Sequence, residues 1–245
     1  MNFNKEYFIE NFKTLFYALI IAIVIRSFFF QPFYIPSSSM ETTLLVGDRL
    51  FVSKYSYGIS KHSFPFSPKI FEGRIFFKSP KRGDVVVFKT PSDNRTDYIK
   101  RLIGIPGDNI QFIDGDLYLN NKKVYKNKIQ TSKKVNCGNS IFESITYEEN
   151  LTSSVKYKAV YRKNGTFQNS DKFTVPIDHF FFLGDNRDCS KDSRFLASVG
   201  YVHKENLVGK AQIIFFSSNY KVGNIFQFWK WHKTIRVNRF FKPIR

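Results

Sequence analysis

Residues 97–105 read DYIKRLIGI and are closed by Pro106, Gly107 and Asp108. The segment reads as a strand bounded by a turn. Alternate residues of a strand share a face. Tyr98, Lys100 and Leu102 then lie on one side, and Asp97, Ile99, Arg101 and Ile103 on the other. Lys100 stands between a tyrosine and a leucine while its charged neighbours face away. A free lysine has a pKa near 10.4, so less than about one in a thousand is neutral at pH 7. Burial disfavours the charged form and lowers that value by several units. A lysine on an apolar strand face can therefore serve as a base. An exposed basic pair at Lys100-Arg101 satisfies the same alternation.

A base needs a proton donor, and residues 35–48, IPSSSMETTLLVGD, offer three adjacent hydroxyls. A serine is a weak nucleophile until a base lies within hydrogen-bond reach. The four histidines, at 62, 179, 203 and 232, sit in no stretch resembling a serine hydrolase motif, and no GxSxG occurs. A third polar segment, GDNRDCSKDSR at 184–194, follows the apolar run HFFFL. It lacks the glycine and glutamate of an EF-hand loop. It reads as a turn whose Asp and Arg pairs fix a loop, or as a plain solvated turn.

The remaining pattern is mainly β. Strands are expected at Leu44–Val52, Val85–Phe88, His179–Leu183 and Lys210–Phe216. Hairpins are expected over Ile110–Val124 around Asp114-Gly115 and Asn120-Asn121. Residues 58–82 read as a long loop or irregular hairpin, and 121–175, polar and poor in apolar periodicity, as an inserted β subdomain or a long β-excursion. No strong amphipathic helix occurs between 31 and 217.

Residues 14–25, TLFYALIIAIVI, carry no charge and are bracketed by Lys13 and Arg26. Twelve residues of helix span only about 18 Å. With Arg26 snorkelling and Ser27–Phe30 at the far interface, residues 14–30 just cross a bilayer. A cleaved signal peptide is the rival reading, opposed by Arg26 and by the bulky FFFQPFYIP that follows. The division expected is an N-terminal stretch 1–13, an anchor 14–30, a β domain 31–120 with 176–217, the insertion 121–175, and a basic aromatic tail 218–245.

The 245 residues carry 38 Lys and Arg against 20 Asp and Glu, a formal charge of +18. That balance favours anionic partners, although A/T-rich codon usage produces the same excess of lysine. The tail interleaves Phe226, Phe228, Trp229 and Trp231 with lysines and arginines. It suits a lipid surface better than single-stranded nucleic acid in an anchored chain. A disordered tail is also open. Cys137 and Cys189 lack zinc-site spacing, and sequence alone leaves their pairing undecided.

Taken together, IPSSSMETTLLVGD, RGDVVVFKTP with DYIKRLIGIPGD, and FFLGDNRDCSKDSR with ENLVGKA resemble the three boxes of the bacterial type I signal peptidases, in order and spacing. The resemblance covers the anchor, roughly 31–110 and roughly 176–216. It implies an antiparallel β fold carrying a Ser/Lys dyad, tethered by one helix to the inner membrane with the catalytic domain on its outer face. Signal peptides of exported preproteins are the implied substrates, cut after a small-x-small motif. No cofactor, no metal and no nucleic acid are expected, and a monomer is. By position, Ser39 matches the nucleophile, Lys100 the base, and Ser37 an oxyanion donor acting with the Ser39 amide. Ser190 matches the residue that holds the lysine, and Asp185, Asp192, Arg194 and Arg101 match scaffolding charges. Phe33, Ile35, Met40 and Leu44 match walls of the substrate pockets. So do Leu50, Val87, Tyr98 and Ile99. Thr42, Ser38, Cys189 and His203 depart from the residues usual at their places. A Ser/Lys autoprotease and a non-catalytic, membrane-tethered module binding anionic lipid or polymer are the alternatives.

Overall fold

A computed structural model describes residues 5–65, 67–68, 71–138, 140–219, 222–223 and 227–245, with backbone alone for 5, 6 and 131–133. Phe226 and residues 1–4, both part of the expectations above, lie outside it. So do positions 66, 69 and 70 of the 58–82 loop and position 139 of the insertion.

The first helix, α1 (Lys5–Val24), passes into a wider turn over Ile25–Phe29. Tyr7–Phe29 forms a 23-residue stretch whose mean hydropathy reaches 1.9 and whose apolar window is not buried in the protein. Such a helix rises about 35 Å, enough for a hydrocarbon core of roughly 30 Å. It begins well before the expected residue 14. Glu10 and Lys13 mark a change in hydropathy, but glutamate and lysine are good helix formers and do not stop the helix. One N-terminal apolar helix of this length fits a single-pass membrane protein.

Beyond it the chain is β. The first strands are β1 (Phe30–Tyr34), β2 (Asp48–Ser53), β3 (Val85–Lys89), β4 (Asp97–Gly104), β5 (Asn109–Ile113), β6 (Asp116–Leu119) and β7 (Lys122–Lys123). The insertion supplies β8 (Tyr125–Cys137), β9 (Ser140–Asn150) and β10 (Lys156–Arg162). There follow β11 (Phe173–Thr174), β12 (His179–Leu183), β13 (Val202–His203), β14 (Leu207–Ser217) and β15 (Lys242–Pro243). The main sheet runs β1-β2-β14-β3-β4-β12-β13, with β15 also on β14. Two smaller sheets run β10-β9-β8 and β11-β5-β6-β7. Every pairing between these strands is antiparallel.

The expected hairpins are β5–β6–β7. Asp114, Gly115, Asn120 and Asn121 all take positive φ, the backbone that tight hairpin turns demand. The strand expected from Leu44 begins only at Asp48. Gly47 has φ +93°, and a Cβ there would lie 1.8 Å from the carbonyl oxygen of Ser218. The chain therefore turns, with Leu45 N donating to Asp48 Oδ2 at 2.7 Å, and Leu44 packs from the turn. The four apolar residues of β3 are all buried, as expected of a strand covered on both faces.

The insertion makes its own sheet but not its own core. Leu151, Tyr157, Ala159 and Tyr161 pack in one cluster with Ile110, Phe112, Leu117 and Phe181. Inside that contact Arg187 donates to Glu149 Oε2 (2.6 Å), Tyr161 OH (2.6 Å) and Tyr157 OH (2.8 Å). The tail likewise folds back. Ile244 joins the core beside β14, and Arg239 holds Asp48 through Nε (3.0 Å) and Nη2 (2.5 Å). Phe228, Trp229 and Phe241 stay exposed.

Cys137, at the end of β8, and Cys189, after β12, form a disulfide across 52 residues of sequence. Closing a loop of that size restricts the unfolded chain by an amount worth about 4 kcal/mol. Calorimetry of the detergent-solubilised Cys137→Ser variant is expected to show a lower unfolding temperature than wild type, and reductant is expected to shift wild type in the same direction. An unfolding temperature unchanged by either would show that the bridge does not constrain the chain.

Candidate active site

The register of three strands builds the site. β3 pairs with β4 so that Val86 faces Lys100 and Val85 faces Arg101. β12 meets β4 only from Arg101 onward, where Leu183 is its last partner. Residues 97–100 thus keep one paired edge and one open edge. Among the described residues β1 pairs only with β2 and is open on its other side. Between the two open edges runs a groove of about 590 Å3.

At the end of β12 the chain turns through Gly184 into Asp185, which meets Arg101 in a two-pronged pair, Nε–Oδ1 2.8 Å and Nη2–Oδ2 2.7 Å. Thr43 Oγ1 donates to Asp185 Oδ2 at 2.5 Å. Asn186 then grips the serine loop twice. Its Nδ2 donates to Ser38 O and its backbone N–H to Ser39 O, each at 3.1 Å. Ser38 Oγ donates to Asn136 O at 2.6 Å, joining the insertion's hairpin tip to the same loop.

These restraints set Ser39 Oγ 2.6 Å from Lys100 Nζ. The amine's other hydrogen bond is to Ile99 O at 3.0 Å, and it lies 5.3 Å from the centre of the Tyr98 ring. Lys100 is 3% exposed. Burial pushes its pKa down to about 8, against the opposing pull of Asp192 and Asp185. At pH 7 about a tenth of such an amine is neutral, against less than a thousandth for an ordinary lysine. Ser37 Oγ lies 3.4 Å from Ser39 Oγ. Asp192 is fully buried. Desolvation pushes its carboxyl up, but the Arg194 guanidinium and the Gly184 N–H hold it below the usual carboxylate range.

Most of the residues named from sequence converge. Ser37, Ser39, Lys100, Phe33, Ile35, Val87, Tyr98 and Ile99 line the one groove. Met40, Leu44 and Leu50 do not. Each is wholly buried, in the core cluster with Ile35 and Val87 and therefore beneath the groove. Arg101 with Asp185 and Arg194 with Asp192 form two buried ion pairs. Ser190 is buried beside Gly184, where its hydroxyl helps to hold down the Asp192 carboxyl, and among the described residues it does not hydrogen-bond to the lysine. No described histidine hydrogen-bonds to Ser39.

Sequence reasoning missed Thr43, Asn186, Arg187 and Gly184. The first three look like ordinary polar loop residues until the chain is folded. Gly184 passes for a turn former, but its need is space. A Cβ there would lie 2.1 Å from Ser190 Oγ and 2.6 Å from Ser39 O.

Comparison with known proteins defines first the class, a peptidase. Residues 8–216 match the family model described as signal peptidase, peptidase S26. A signal peptidase I from Rickettsia typhi is 38% identical over 253 residues, covering 96% of this chain and 93% of its own. One from Rickettsia conorii is 39% identical over 246 residues, covering 93% and 90%. The crystal structure of a signal peptidase I from Enterococcus faecalis is 26% identical, covers 54% of this chain and 97% of that one, and has a TM-score of 0.34. The chain belongs to the signal peptidase family.

Gly184→Ala is expected to force the serine loop and Ser190 apart, costing about 1–3 kcal/mol of stability and lowering peptidase activity at least ten-fold. Thermal unfolding and cleavage of a preprotein measure the two. Unchanged values for both would mean that the close approach at Gly184 is not needed.

Proposed function

We propose that this peptidase removes signal peptides with Ser39 as nucleophile and Lys100 as general base. The contact of 2.6 Å between a buried amine and that hydroxyl carries the reading. Among the described residues no carboxylate hydrogen-bonds to the amine, and burial outweighs the more distant pull of Asp192 and Asp185 on its pKa. An extended peptide laid in the groove adds a strand between the open edges of β1 and β4, main chain to main chain. Phe33, Ile35, Val87, Tyr98 and Ile99 bound the space for its side chains. Small residues one and three positions before the cut fit such walls, because bulk is excluded more sharply than fit is rewarded.

Neutral Lys100 accepts the Ser39 proton as the oxygen attacks the scissile carbonyl. Ser37 Oγ and the Ser39 backbone N–H stabilise the tetrahedral oxyanion, one such donor being worth about 2.7–4 kcal/mol. The C–N bond breaks as protonated Lys100 gives its proton to the leaving amine. Water, deprotonated by the same lysine, then cleaves the acyl ester and restores Ser39. Ser190 is assigned to steady the amine in the substrate complex, which its burial beside Gly184, at the turn that carries Asp185, supports. The apolar helix tethers the groove at the outer face of the cytoplasmic membrane, where signal peptides emerge, and raises the local substrate concentration.

Ser39→Ala and Lys100→Ala are each expected to abolish preprotein cleavage by the solubilised protein while the β domain stays folded, as judged by circular dichroism. Activity retained in Ser39→Ala would overturn the assignment. Lys100→Arg is expected to be inert, since a guanidinium does not deprotonate. The active form is the neutral amine, so kcat/KM is expected to climb about ten-fold per pH unit toward pH 8 and then level off. A flat profile from pH 6 to 10 would rule out a lysine base.

A further inference from the structure

A second cavity, of about 700 Å3, opens at the foot of α1 and shares Phe33 and Asp97 with the groove. Its walls bring together Arg26, Lys54, Lys61, His62, Lys89 and Arg95. Two carboxylates share those walls, and both are engaged. Asp97 pairs with Lys89 at 2.9 Å. Asp93 accepts from Thr90 Oγ1 at 2.6 Å and from the Thr96 N–H at 3.0 Å within its own turn.

Two buried side chains register the surplus charge. Lys54 is 3% exposed, and its amine donates to the carbonyls of Ser63 and His62, at 2.5 and 3.4 Å, rather than to a carboxylate. Burial, and then the neighbouring Arg26, push its pKa down to about 8. His62 is 5% exposed. Its Nδ1 lies 3.0 Å from Ser67 Oγ, while Nε2 is buried with no partner among the described residues. Burial, and then Lys61, Lys89, Arg74 and Lys54, push its pKa down to about 4. Both shifts report the same excess of positive charge around the cavity, and the charge of these walls fits an anion.

The cavity's position narrows the source of that anion. Lys54 N donates to Phe29 O at 3.0 Å, and the Phe28 ring meets Phe64 edge-on at 5.6 Å, so both walls are pinned to the end of the apolar helix. Exposed Phe29, Phe30 and Tyr55 lie alongside, the aromatic setting of a membrane interface.

We propose that this cavity binds a phosphate-bearing anion, with the headgroup of an anionic phospholipid as the source that its place at the foot of α1 selects. Lysine ammoniums act as point charges on phosphate oxygens, and the Arg95 guanidinium adds directed donors at the rim. Neither the anion nor the cavity takes part in the Ser39 chemistry, so the proposal stands apart from the catalytic reading.

The full chain in neutral detergent, mixed with phosphatidylglycerol or phosphatidylcholine and repurified, is assayed for phosphorus retained per chain. Wild type is expected to keep one phosphatidylglycerol and to exclude phosphatidylcholine. K61Q/R95Q, at the solvent-facing rim, is expected to bind phosphatidylglycerol at least ten-fold more weakly with an unchanged unfolding temperature, and K233Q to bind as wild type does. In a second arm, inorganic phosphate alone is titrated while the His62 imidazole resonance is followed by NMR. An upward shift of the His62 titration in wild type but not in K61Q/R95Q, without lipid retention, supports the anion site and assigns it a soluble phosphate. Equal retention of both lipids by wild type and variant, with a His62 resonance unmoved by phosphate, overturns the proposal.

Discussion

The Arg101–Asp185 pair is the constraint on which the site depends. Both side chains are removed from water, and a buried ion pair persists only when its geometry is good and its remaining donors are satisfied. Both conditions are met. Arg101 also donates to Gly83 O, Thr43 Oγ1 and Arg245 O, at 2.7, 3.2 and 3.1 Å, and the Tyr157 ring lies 4.5 Å from its guanidinium carbon. One guanidinium therefore joins β4, the turn before β3, the serine loop, the loop after β12 and the end of the tail. Lys100, next in sequence, faces the other way from a strand whose position is already fixed.

A division of labour follows along β4. Arg101 stays charged because Asp185 repays its desolvation, while burial lowers the affinity of Lys100 for its proton, no carboxylate among the described residues being hydrogen-bonded to it. The same burial yields a permanent cation on one face and a base on the other. The insertion contributes at a distance. Arg187, set between Glu149 and two tyrosines, anchors the loop that carries Asn186, and Asn186 holds the backbone on either side of the Ser38–Ser39 peptide.

Much of this was legible in the sequence where local pattern decides. The alternation of DYIKRLIGI placed Lys100 and Arg101 on opposite faces, and Asp114-Gly115 and Asn120-Asn121 marked hairpins, because side-chain period and turn chemistry are properties of a few adjacent residues. The resemblance brought Ser37, Ser39 and Lys100 to one site, 61 residues of chain separating the last two. What escaped depended on distant contacts. Leu44 read as strand because nothing nearby reveals that Gly47 must pass the Ser218 carbonyl. The depth at which Met40 and Leu50 sit in the core below the groove is likewise not written in a linear pattern. That the insertion's few apolar residues complete a core belonging mostly to other strands is equally invisible along the chain.

The parity of β4 has a further consequence. Its pairing with β12 slips between Phe181 and Phe182, and only past that irregularity does Leu183 come level with Arg101. Since successive residues of a strand point oppositely, a residue lost or gained that slides Lys100 and Arg101 one place against β3 would trade the two faces, turning a permanently protonated guanidinium toward the side of Ser39 and an amine toward that of Asp185. Along this short segment, length itself is under chemical constraint, so related chains should tolerate changes of residue here far more readily than changes of count.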